Sequence, residues 1–345
     1  MASRNRLRAT ATPAALALAA ALALHPGSAS AAHIAAAIEY DDVARPAALP
    51  DSLHAAPGTS LRYLAIKAID GFMVNATLWQ PDAHPPADTT MIVMVHGSGG
   101  SYSSEPQLSL GPKMAAKGYA SLIINTRQHD AHINTDNFLD VRRDIDAAVQ
   151  VARALGYRRL VLQGHSLGNI QVQFYAATNW DADIKAVVLL GAFGNLPWKS
   201  ENLLVQNDAD FKRLIAAALA SLRAGTQADL MPVKMHYYTG ADSPMTAQHF
   251  LTYRWDKTSV ADGTFWIHRS PDPILMVRDQ ADGVIQPFEP HMLLSAAGDE
   301  GSLVKSIDYV LLPNPKPPSL AGHEFAGDEQ ALADTIAGWL TARGL

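Results

Sequence analysis

From residue 61 onward the chain carries two kinds of hydrophobic pattern, and the change from one to the other predicts its architecture. Residues 61–68 and 72–79 alternate apolar and polar positions, Ile69-Asp70-Gly71 lies between them and Pro81 closes the second run. That is the pattern of a β-hairpin. From Met91 the apolar runs become continuous, at 91–95, 120–124 (bar Ser121), 160–162, 186–190 and 274–277. A strand covered by helices on both sides needs apolar side chains on both faces, so these runs predict buried parallel strands. Helix-like stretches lie between them at 106–117, 137–155 and 169–177, the first with a break expected at Gly111-Pro112. Alternating strands and helices predict an α/β fold, a doubly wound and mostly parallel sheet.

The alternation lapses over 195–269, after the sixth strand so counted, and this stretch reads as a lid or cap insertion lying over the top of the sheet. It holds Trp198, Phe211, a helical run at 214–222, Tyr237, Tyr238 and Trp255, with Met231, Met235 and Met245. Such residues either line an apolar pocket or pack the insertion's own small core, and the sequence leaves both open.

At the other end, Arg4, Arg6 and Arg8 precede an uncharged run over 9–24, and Ala29-Ser30-Ala31 follows. A basic stretch, an apolar stretch and an A-x-A site in that order predict a cleavable export signal over 1–31, hence a secreted or periplasmic product. The unbroken apolar run 14–24 is short against the roughly 20 residues of a membrane span, so no stable membrane anchor is expected. Residues 32–60, rich in Ala, Pro and Asp without a sustained period, read as an extended lead-in with little core of its own. That leaves 61–345 as a single catalytic domain.

Composition narrows the chemistry. The 345 residues are 48% hydrophobic, enough for one large core, and the net charge of −6 comes without a basic block, which argues against nucleic-acid binding. The absence of cysteine excludes disulfides, thiolate metal sites and a cysteine nucleophile.

The candidate nucleophile is Ser166, in Gly164-His165-Ser166-Leu167-Gly168, which follows the apolar strand 160–162 directly and leads into a helix. Small residues on both sides permit a strained strand-to-helix turn that lifts the serine hydroxyl to the carboxyl end of the sheet. The helix start also points free N–H groups toward an anionic intermediate. A second glycine-rich segment, His96-Gly97-Ser98-Gly99-Gly100, follows the strand 91–95, and no Gly-Lys-Ser/Thr succeeds it to suggest a phosphate site. Acyl transfer needs donors aimed at the oxyanion, and the amides of Ser98 and Leu167 are the candidates.

These motifs make the chain similar to the α/β-hydrolase superfamily, from about Asp70 to the C-terminus, and its opening resembles the serine-aminopeptidase-like and serine esterase branches. In that superfamily the acid stands after a late strand, in a pattern resembling P-x-L-x-x-x-G-x-x-D. Residues 273–282 match it from Pro273 to Asp282, except that Asp279 stands where glycine is usual. The resemblance therefore assigns the acid to Asp282, with Asp279 as a competitor. The histidine follows the acid in this order of chain, which leaves His291 and His323. His291 falls in a stretch that reads as a helix after Pro287 and Pro290, whereas His323 sits in Gly322-His323, a segment that resembles the superfamily's loop before the final helix. The triad so implied is Ser166, Asp282 and His323, with no cofactor and no metal.

Other residues invite alternatives. His129-Asp130-Ala131-His132 matches no metal-binding spacing. His165, inside the serine motif, reads as a packing or hydrogen-bonding residue. Arg127, past the strand 120–124, either binds a substrate carboxylate or pairs with Asp130. The function expected is hydrolysis of a small-molecule carboxylic ester through an acyl-enzyme. Amide or peptide cleavage by the same residues is the alternative within the class, and a non-catalytic binding protein on the same fold the alternative outside it. Haloalkane dehalogenation is excluded, because it needs an aspartate where Ser166 stands.

Overall fold

The expected hairpin is present, as β2 (Thr59–Lys67) and β3 (Met73–Pro81), paired antiparallel from Thr59 opposite Pro81 to Lys67 opposite Met73. The structure is a computed structural model that describes residues 38–345 apart from 48, 51, 52 and 238. The expected export signal over 1–31, and Tyr238, therefore lie outside the described residues.

The lead-in contributes more than was expected of it. Its residues Tyr40–Val43 form β1, which pairs antiparallel with β2 and extends the sheet by one strand. The sequence hides this strand because only Tyr40 of the four is even half-buried, so Tyr-Asp-Asp-Val carries no apolar stripe. One consequence is that the insertion follows the seventh strand of the chain, where the sequence reading placed it after the sixth.

The continuous apolar runs form β4 (Thr90–Val95), β5 (Ala120–Ile124), β6 (Arg159–His165), β7 (Ile184–Leu190) and, after the insertion, a further strand, Ile274–Asp279. The insertion holds a two-stranded ribbon, β8 (Met235–His236) and β9 (Asp242–Ser243), so Ile274–Asp279 is β10 and Ile307–Leu312 is β11. The nine-stranded sheet runs β1-β2-β3-β5-β4-β6-β7-β10-β11, and every pair from β5 to β11 is parallel. Successive residues serve opposite faces: Met91, Val93, Leu160 and Leu162 join one apolar cluster, Ile92, Met94 and Val161 the other. The first cluster is covered by α2 (Val141–Ala154) and α3 (Leu167–Asn179), the second by α1 (Gln107–Ala116) and the helix Glu329–Thr341. A doubly wound α/β sheet is what the continuous runs implied.

The break expected in α1 does not occur. The helix runs through Pro112, and Gly111 is there because the Trp79 indole lies against it: a Cβ would stand 2.6 Å from Trp79 Cδ1. What looked like punctuation is a packing contact.

The insertion has its own core, in which Phe211, Leu214, Met231, Met235, Met245 and Phe250 are all buried and Trp255 packs against them. For most of its apolar residues the second of the two sequence readings therefore holds. Trp198 is partly exposed and meets Phe288 edge-on at 5.8 Å. Among the described residues no helix is long and apolar enough to cross a membrane.

Candidate active site

The order in which successive strands are added across the sheet reverses at β4. From β4 the chain passes to β5 on one side and then to β6 on the other, with Val95 opposite Gly164. Such a switch point opens a crevice at the carboxyl ends of the strands. The loop after β4 and the turn after β6 both flank it, and these are the two glycine-rich motifs of the sequence.

Ser166 sits at the turn between β6 and α3 with φ 52° and ψ −119°, a backbone strain that a non-glycine residue adopts only where its surroundings impose it. The flanking glycines explain how the chain closes so tightly. A Cβ on Gly164 would stand 2.4 Å from the Gly168 carbonyl oxygen, and one on Gly168 would stand 2.6 Å from that of Val95. The Ser166 amide is anchored to Leu190 O at 2.9 Å.

The loop after β4 is shaped by His96, which is buried. Its Nε2 accepts from the Thr126 amide at 3.1 Å, so the ring proton lies on Nδ1 and is donated to Gly97 O at 2.7 Å. Burial pushes this imidazole down to about 4. The amides of Gly99 and Gly100 are taken by Gln128 Oε1 and Gly97 O, whereas those of Ser98 and Leu167 donate to no protein acceptor among the described residues. Both residues border a cavity beside Ser166, so the two expected oxyanion donors are brought to one place.

Asp282 and His323 come from the loops after β10 and β11, and these loops are bonded to one another. Ser319 donates its amide to Ala281 O at 2.9 Å, and Gly283 donates to Ser319 O at 3.0 Å. Ser319 also caps the short helix Leu320–His323, accepting from the Gly322 amide. His323 Nδ1 thereby meets Asp282 Oδ2 at 2.9 Å, with both residues buried. The other oxygen, Asp282 Oδ1, accepts from the amides of Val284 (2.8 Å) and Ile285 (2.9 Å). Burial alone would raise this carboxyl, but the His323 bond and charge with the two amides outweigh it and hold Asp282 below its ordinary value.

Asp279 faces elsewhere, accepting from Ala281 N at 2.6 Å and Asn314 Nδ2 at 3.1 Å. Burial, with Asp328 close by on the same asparagine, raises its carboxyl. His291 lies on the helix Glu289–Ala297, exposed, with its ring edge-on to Tyr309. Arg127 does not pair with Asp130. It forms a bidentate pair with Asp144, at 2.7 Å in its shortest contact, and reaches Asp70 at 3.0 Å, while Asp130 binds His129.

His165 does more than the motif announced. Its Nε2 bonds His323 O at 2.9 Å, its ring lies 4.7 Å from the His323 ring, and burial followed by the His323 charge pushes it down to about 3.

Two cavities meet at Ser166. The larger, about 340 Å³, is bordered by Ser98, Glu105, His165, Ser166, His323 and Glu324. The smaller, about 170 Å³, is bordered by Ser166, Leu167, Phe193 and, from the insertion, Leu204, Tyr237 and Arg254. No sequence motif marks Arg254, which ends a π-helical turn, Phe250–Arg254.

Several solved structures share this architecture. Est1E from Butyrivibrio proteoclasticus superposes with a TM-score of 0.59 at 16% identity, over 82% of this chain and 98% of that one. The esterase domain of a Rhodothermus marinus protein gives 0.53 at 17%, over 81% and 97%. Acylaminoacyl peptidase from Pyrococcus horikoshii gives 0.53 at 14%, over 82% of this chain but 42% of its own. At such identities the likeness is one of fold. No curated protein matches the sequence. The family model described as alpha/beta hydrolase fold matches residues 90–288, more than half of the chain and the stretch that holds both glycine-rich motifs and Asp282. With that match, and the sheet and crevice just described, the chain belongs to the alpha/beta hydrolase fold family.

Proposed function

We propose that this protein is an exported serine hydrolase that cleaves small carboxylic esters, with Ser166 as nucleophile, His323 as base and Asp282 as the acid behind it. The observation that supports this reading most is the 2.9 Å bond between His323 Nδ1 and Asp282 Oδ2, behind a histidine that shares a cavity with Ser166. That bond fixes the histidine tautomer, leaving Nε2 free of hydrogen and able to take a proton. Ser166 Oγ forms the bond to the acyl carbon as its proton passes to His323, and the carbonyl electron pair moves onto an oxygen facing the Ser98 and Leu167 amides. Collapse breaks the ester C–O bond, and the proton on His323 leaves with the alcohol. A water molecule then repeats the two steps and frees the acid. Export rests on the pattern of residues 1–31.

The test is a series of p-nitrophenyl esters of increasing chain length beside aminoacyl anilides, with fluorophosphonate labelling of the intact protein. Ester turnover that falls about 10⁴-fold in Ser166→Ala, with the label on Ser166, is the expected result. Labelling of another serine, or activity of Ser166→Ala above roughly a per cent of the parent, would refute it. Preference for the anilides would move the reading to amide cleavage by the same residues.

A further inference from the structure

The two cavities at Ser166 differ in what each can do with a substrate. A leaving alcohol must take its proton from His323, so it departs through the larger cavity, which His323 borders. The acyl group then occupies the smaller one, which His323 does not border. At about 170 Å³ it is well below the roughly 300–1,000 Å³ of sites for drug-sized ligands, so it suits a short chain.

That cavity contains two buried cations in different states. Lys199 is matched: its Nζ lies 2.8 and 2.7 Å from the two Glu289 oxygens and 3.0 Å from Val284 O. Arg254 is not. It is 4% exposed, its two bonds go to neutral oxygens, Ser200 Oγ at 3.3 Å and Asn134 Oδ1 at 3.0 Å, and its buried Nε has no partner. No carboxylate among the described residues comes within 4.0 Å of it. Asp136, two residues from Asn134, is occupied by the Tyr253 hydroxyl at 2.5 Å and His249 at 3.2 Å. A guanidinium taken out of water with most of its donors unmatched is costly unless an anion completes it. The larger cavity carries the opposite sign, Glu105 and Glu324, which would repel an anionic acyl end and so fix the direction of binding.

We propose that the smaller cavity receives a short acyl group ending in a carboxylate, bound by Arg254, so that the preferred substrates are half-esters of short dicarboxylic acids. This rests on the serine-hydrolase reading of Ser166, and it names the substrate class that reading leaves open.

The experiment compares monomethyl glutarate with methyl pentanoate, of similar length, by titrating the acid released. For the parent protein kcat/KM should favour the half-ester by roughly tenfold or more, as charge-assisted hydrogen bonds at a dry site imply. In Arg254→Met that ratio should fall at least tenfold, and Arg254→Lys, which keeps the charge without the fork, should lie between. A parent ratio of one or less, or a ratio that Arg254→Met leaves unchanged, overturns the proposal and assigns Arg254 to internal packing with Ser200 and Asn134. If Arg254→Met does not fold, the parent ratio and Arg254→Lys decide.

Calorimetric binding of glutarate to Ser166→Ala separates the two readings. Binding of glutarate, but not of the neutral pentanamide, to that variant, with no ester turned over by the parent protein, would retain the Arg254 site and remove the esterase reading. Turnover of methyl pentanoate with no glutarate binding would do the reverse.

Discussion

His165 Nε2 donates to the carbonyl oxygen of His323 at 2.9 Å, so one histidine of the serine turn holds the backbone of the histidine that faces Ser166. Because burial keeps His165 neutral across the working range, with its imidazole near 3, the bond does not change with pH. His165 is thus a positioning residue. Replacing it with Phe, which keeps the ring and loses the donor, should lower kcat tens of fold with little change in KM. His165→Gln, with a donor of similar reach, should restore part of that loss. Equal losses in the two variants, or a loss carried in KM, would show that the ring only packs.

Asp282 and Asp279 lie three residues apart and do unlike work. Asp282→Asn should reduce kcat by orders of magnitude, up to about 10⁴-fold, because the charge that steadies the His323 imidazolium is gone. Asp279→Asn should leave kcat within a few fold, since that carboxyl braces Asn314 and the Ala281 amide. The reverse ranking would transfer the acid's role to Asp279.

Truncations in the insertion should separate its core from its cavity wall. Trp255 packs against the insertion's own cluster, so Trp255→Ala should depress Tm and weaken turnover of every ester alike. Leu204 borders the smaller cavity, and Leu204→Ala should instead change the dependence of kcat/KM on acyl length, at about 0.8 kcal/mol for each methylene that loses contact. Uniform loss across chain lengths in Leu204→Ala would remove it from the acyl site.

Acid stability should depend on His96. An unfolded histidine binds a proton near 6.5, whereas folded His96 resists until about 4, because burial penalises its charged form. Between those values the unfolded state holds the extra proton, so the His96 contribution is full above about pH 6.5 and declines as the pH falls toward 4. His96→Gln should make the slope of unfolding free energy against pH shallower by up to one proton, about 1.4 kcal/mol per pH unit. An unchanged slope in denaturant titrations at pH 6 and 5 would show that His96 is charged in the folded protein.

What the sequence disclosed follows from how each feature is encoded. The parallel strands were legible because residues such as Ile92 and Val93 must both be apolar to serve opposite clusters. Ser166 was legible because Gly164 and Gly168 leave a written trace of a backbone approach that no side chain tolerates. Strand β1 was not, since an edge strand facing water needs no apolar pattern, and Gly111-Pro112 misled because a glycine required by Trp79 looks the same as one that ends a helix. Arg254 was invisible for a different reason. Its meaning lies in the acids that are not near it, and only folded geometry reveals that.

The bonded loops after β10 and β11 also set when the site can exist. A ribosome delivers β4, β6 and the Ser166 turn early, and these strands pair with each other directly. His323 arrives with the last part of the chain, and its place is set through Ser319 by the Asp282 loop at the far side of the sheet. A nascent or C-terminally clipped chain would carry a formed serine turn without His323 beside it. On the function proposed above, Ser166 would stay chemically silent until the final strand has docked, and the segment that carries His323 would be a condition for reactivity rather than only for stability.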